Sequence, residues 1–76
     1  MNTTTTLEQI AVGSSARVQA LHTTGSIRRR LLDLGMIPGT RVECLQKSPA
    51  GDPTAYLIRG AVIALRCEDS ATIQVM

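Results

Sequence analysis

Phenylalanine and tryptophan are missing from this 76-residue chain, and Tyr56 is its single aromatic residue. Proteins that hold single-stranded nucleic acid stack bases on exposed rings, and grooves for proline-rich peptides are lined with them. Neither use has its equipment here. Lysine is scarce too: Lys47 stands alone against seven arginines. A net charge of +2 is too small to argue for nucleic acid, although arginine's planar fork suits carboxylates and phosphates. The longest apolar run, Ala61 to Leu65, has five residues, whereas a membrane-spanning helix needs about 20. The opening MNTTTT has neither the basic nor the apolar region of a secretory signal.

Groups that carry chemistry are equally thin. His22 is the only histidine, and no spacing pairs it with a cysteine or a carboxylate. Cys44 and Cys67 match no metal or redox pattern. With no secretory signal, both are expected as reduced, buried thiols. No G-x-x-x-x-G-K-[ST] phosphate loop occurs. Glu68 and Asp69 are adjacent, but they suit the N-terminus of a short helical turn. Catalytic residues, metal ligands and cofactors are therefore expected to be absent, and the chain reads as a binding domain.

What is present is punctuation. Residues 1–6 read as a flexible tail and 7–76 as one small domain, with Thr6 opening a turn that sets Leu7 and Ile10 on one side. A chain of this length buries only about 60–65% of its unfolded surface. Ala16 to Leu21 is a weak strand. Ser26 is a candidate N-cap for a helix whose stripe is Ile27, Leu31 and Leu34 at i, i+4 and i+7. Gly35 ends that helix in the left-handed region, freeing Met36 and Ile37 to fold back on the stripe. Pro38-Gly39 suits a type II turn. Thr40 to Gln46, Thr54 to Arg59, Ala61 to Arg66 and Thr72 to Val75 read as strands, with a tight hairpin at Arg59-Gly60 and a helical turn at 68–71. The result is a mainly β chain: about five short strands and one inserted helix, for which barrel closure removes exposed edges.

Arg28, Arg29 and Arg30 fall opposite the apolar stripe. They are the densest positive charge in the chain, and as exposed residues they form the candidate partner-binding patch.

Three ordered stretches resemble the FeoA family of small accessory proteins of bacterial ferrous-iron transport. The first, RRRLLDLGMIPGTRVECL, matches an R-x-L-x-x-L-G-apolar-x-P-G-x-x-V core through Arg29, Leu31, Leu34, Gly35, Met36, Pro38, Gly39 and Val42. The second, SPAGDPTAYLIRGAVIALR, carries Pro49, Gly51, Asp52 and Pro53 of a P-x-G-D-P loop. It continues with Gly60, Ile63, Ala64, Leu65 and Arg66 of a G-x-x-I/L-A-L-R strand. The third, EDSATIQV, is close to the family's acidic turn and last strand.

The resemblance implies an SH3-like β-barrel and a role in ferrous-iron transport beside FeoB, a membrane transporter with a cytosolic G-protein domain. The implied partner surface is that domain or a nearby cytosolic surface. The implied location is cytoplasmic, peripheral to the inner membrane through the partner. The family offers no enzymatic residues to carry over. Some members are discussed as metal- or nucleotide-sensitive; the sequence places no such site and leaves that sensitivity open. No nucleic acid and no membrane span are expected, and the oligomeric state is left open. Two other uses stay in play: a regulatory SH3-like barrel for another protein or nucleic acid, and an arginine finger offered to the transporter's G domain.

Overall fold

The computed structural model describes residues 5–76. Residues 1–4 of the expected tail lie outside the described residues. Thr5 and Thr6, also expected in that tail, instead form strand β1 (Thr5–Thr6), which pairs antiparallel with β6 (Ile73–Val75). Pairing satisfies an edge that β6 would otherwise leave open. A 3₁₀ turn at Leu7–Gln9 follows. Gln9 Oε1 accepts the Thr6 N–H at 3.0 Å, and Leu7 and Ile10 enter the core as expected.

The other strands are β2 (Ser15–Leu21), β3 (Arg41–Lys47), β4 (Thr54–Ile58) and β5 (Ala61–Leu65), with helices α1 (Gly25–Asp33) and α2 (Cys67–Ser70). The six strands form one antiparallel sheet in the order β1-β6-β2-β3-β4-β5. Strand β2 pairs β3 through Ser15, Ala16 and Arg17, then β6 through Val18, Ala20 and Leu21, with an irregularity between Val18 and Ala20. Such bulges sharpen the local twist, and they let a single sheet curl around a single core.

That core follows the two-residue strand period. Val42 and Cys44, Tyr56 and Ile58, Ile63 and Leu65, and Ile73 and Val75 are all buried, while their neighbours face outward. Leu31 and Met36 come from outside the sheet and are buried with them. Ile27 and Leu34 are half-buried at the margin, so the stripe is deepest at its middle.

Three local expectations need correction. The N-cap of α1 is Thr24, not Ser26, which lies within the first turn. The entry is fixed one residue earlier, where the buried Thr23 hydroxyl meets that of Thr72 at 2.6 Å. Ile37 does not fold back: it is 48% exposed, because it starts the next turn and its carbonyl accepts the Thr40 N–H at 3.0 Å. Cys67 is exposed, since it opens α2 at the surface; Cys44 is buried, and both thiols are free.

The end of α1 explains the glycines. The Met36 N–H donates to Leu31 O and the Gly35 N–H to Leu32 O, both at 3.0 Å. These are the two bonds of a Schellman motif, which requires a left-handed residue at Gly35, and Gly35 has φ +93°. Gly39, at φ +95°, takes the third position of the turn from Ile37 to Thr40.

Candidate functional site

The arginine run divides on folding. Arg28 is half-buried, and its Nη1 donates to Leu21 O at 2.8 Å and to Thr23 O at 3.4 Å. It therefore ties α1 to the end of β2, rather than projecting freely into solvent. The helix start puts it within reach of the carbonyls at and just after the end of β2. Arg29 and Arg30 are exposed and have no ion pair among the described residues. A shallow hollow of about 440 Å³ opens between Gly25, Arg28, Arg29, Leu32 and Asp33.

A second cationic feature was not apparent from local sequence. The register places Arg17 opposite Arg41 across β2 and β3. Val42 lies opposite Ile58 where the β3–β4 ladder ends; just beyond that end, Arg41 and Arg59 line one groove. Residues 17, 41 and 59 are far apart in the chain and become one row on the outer face. Arg17 Nη1 donates to Gly39 O at 2.9 Å, and Arg41 Nε to Ser15 Oγ at 3.2 Å. Arg59 turns the β4–β5 hairpin with φ +48°, followed by Gly60 at φ +84°. Two successive left-handed residues are the signature of a type I′ turn, and its occupation by arginine rather than Asn or Asp is the unusual feature. Above Arg41 and Arg59 lies an open groove of about 550 Å³, bounded also by Pro38, Gly39, Thr40, Glu43, Leu57 and Gly60.

The remaining motif residues are structural. Asp52 Oδ1 accepts the Cys67 N–H at 2.8 Å, so the Pro49–Pro53 loop pins the start of α2. Leu65 is buried, and Gly60 completes the hairpin. Among the described residues, no three His, Cys, Asp or Glu side chains gather into a metal-sized cluster. His22 Nε2 lies 3.2 Å from Gln74 Oε1. Burial pushes the Cys44 thiol up, against a small opposing pull from Lys47, which keeps it protonated and unreactive. Tyr56 is likewise pushed up, chiefly by burial. The surface offers guanidinium groups and a groove: equipment for binding an anionic surface.

These features define a small SH3-type β-domain with a cationic outer face. The FeoA domain family model matches residues 5–76, and the chain belongs to that family, an accessory, transport-associated domain. A Porphyromonas gingivalis protein, described as a fusion of Fe(2+) transport protein A with the Fe(2+) transporter FeoB, is 32% identical over 69 residues. The match takes in 91% of this chain but only 8% of that protein. The solution structure of FeoA from Chlorobium tepidum superposes with a TM-score of 0.88 at 30% identity, covering 93% of this chain and 68% of that one. Stenotrophomonas maltophilia FeoA, solved with zinc and described as an SH3 domain protein, gives 0.83 at 29% identity, with 95% and 89% covered. The expected SH3-like fold stands, and the family to which the chain belongs is linked to ferrous-iron transport. No helix among the described residues is long and apolar enough to cross a membrane.

Proposed function

We propose that this chain is a non-enzymatic accessory module that docks on the cytosolic part of an FeoB-type ferrous-iron transporter and tunes its uptake. The observation that carries the reading is the fusion relative, in which a segment like this one and FeoB share a polypeptide. Fusion keeps two parts at high effective concentration, which is useful when they work in contact. The reading places the chain in the cytoplasm, beside the inner membrane, with the transporter's G-protein domain or an adjoining surface as its seat. Arg29 and Arg30, exposed and unpaired, supply charge for that encounter, while Arg28 serves the fold. A nucleic-acid role is disfavoured by the burial of Tyr56, which leaves no aromatic platform.

The test is ferrous-iron uptake in cells lacking this chain but retaining their FeoB. Reduced uptake, restored by the chain expressed in trans, supports an accessory role. Uptake equal to that of the parent strain at limiting ferrous iron would overturn it.

A further inference from the structure

Arginines directly opposite one another across a sheet repel, and such like-charge pairs destabilise the strands that carry them. The row holds one such meeting, Arg17 opposite Arg41, and brings a third arginine, Arg59, to the same groove as Arg41. The one ion pair the row makes among the described residues, Arg41 with Glu43, spans 4.0 Å, the outer limit of such a pair, and the Arg41 side chain remains 63% exposed. Arg59 has no hydrogen bond or ion pair among the described residues. The groove beside the row therefore presents two guanidinium forks with unused donors.

We infer that this groove is the docking site for an acidic segment of the partner protein, an inference that rests on the transporter reading above. Carboxylates suit the forks, since a guanidinium offers parallel N–H donors matched to the two oxygens. Pro38 and Leu57 also line the groove and give it apolar surface, which can cover an aliphatic side chain beside acidic ones. Other anionic surfaces fit less well. Membrane-binding patches gather about 4–8 cations, more than this row has, and a nucleic-acid groove would want exposed rings. Charge drawn to the row removes its internal repulsion, so binding relieves a conflict that the free fold retains.

The experiment titrates the chain against full-length FeoB in zwitterionic nanodiscs, at low and at physiological salt, with empty zwitterionic and anionic nanodiscs as further arms. Arg41→Ala with Arg59→Asn empties the groove of charge, and Asn keeps a residue that tolerates the left-handed turn; circular dichroism confirms the fold. Losing two charge-assisted contacts should weaken binding by about tenfold or more and flatten its salt dependence. Arg29→Ala with Arg30→Ala, outside the groove's lining, should cost less than about threefold, as expected for charges that only steer the encounter. Wild-type affinity in a folded Arg41→Ala/Arg59→Asn variant would overturn the groove assignment and leave the transporter reading intact. So would binding to empty anionic nanodiscs as strong as to FeoB, if the groove variant abolished it. Failure of the wild-type chain to bind FeoB at all would overturn the transporter reading, and the inference with it.

Discussion

Gly35→Ala should destabilise this protein for two separable reasons. The first is backbone. Gly35 sits at φ +93°, where an L side chain meets its own carbonyl at a cost of about 1–2 kcal/mol. The second is contact. A Cβ on Gly35 would run into the Arg59 side chain at Cδ, a mid-chain methylene whose displacement strains an Arg59 χ angle at about 0.5–1.5 kcal/mol. Together these give roughly 1.5–3.5 kcal/mol, a large share of the stability of a small domain. For this size each kcal/mol lowers the melting temperature by about 4–8 °C, so calorimetry should show a drop of at least about 6 °C. A double-mutant cycle separates the parts. In an Arg59→Ala background the contact vanishes, and Gly35→Ala should cost only the backbone share. Gly39, at φ +95° with open space around its missing Cβ, is the control: Gly39→Ala should pay the backbone share alone. A Gly35→Ala melting temperature within about 2 °C of wild type, or no coupling to Arg59, would refute the reasoning.

Leu31 is 1% exposed beneath the sheet, so Leu31→Ala should cost about 2–5 kcal/mol and leave the domain largely unfolded by circular dichroism at 37 °C. Alkylation under native conditions should label the exposed Cys67 quickly and the buried Cys44 only after denaturant; equal rates would contradict the placement. Burial raises Tyr56 in the folded state, while in the unfolded chain it titrates near about 10. Its share of stability is therefore complete below about pH 10 and falls as pH rises beyond it. Urea midpoints measured upward from pH 9 should decline, and Tyr56→Phe should remove part of that decline. Cys44, raised in the same direction, contributes the same sign from about pH 8.5.

Much of the fold was legible because it is written in local chemistry. Gly35 and Pro38-Gly39 announce a helix end and a turn through backbone conformations few residues adopt. The strand faces Val42/Cys44 and Ile63/Leu65 follow a two-residue period that burial then repeats. What escaped reading depends on distant partners. Thr5 and Thr6 look like tail until Val75 and Gln74 are beside them. Arg28 looks solvated until the Leu21 carbonyl is within 2.8 Å. Cys67 reads as a buried thiol when no secretory signal precedes the chain, yet the α2 turn carries it outward. The cationic row is the clearest case, for strand register brings Arg17 to Arg41 and the β4–β5 hairpin brings Arg59 to the same groove. The one advance signal was outward alternation: Arg41 lies one residue before buried Val42, and Arg59 one after buried Ile58. The arginine run at 28–30 drew notice because it is contiguous; the row did not, because it is not.

Hydrogen exchange on the chain, with and without full-length FeoB in zwitterionic nanodiscs, tests most directly the claim that it docks on this transporter through its arginine face. The account predicts slower exchange concentrated in residues 38–43 and 57–61, where the Pro38-Gly39 turn, β3 and the Arg59-Gly60 hairpin border the groove. Unchanged exchange at saturating transporter, or slowing confined to other segments such as α1, would contradict it.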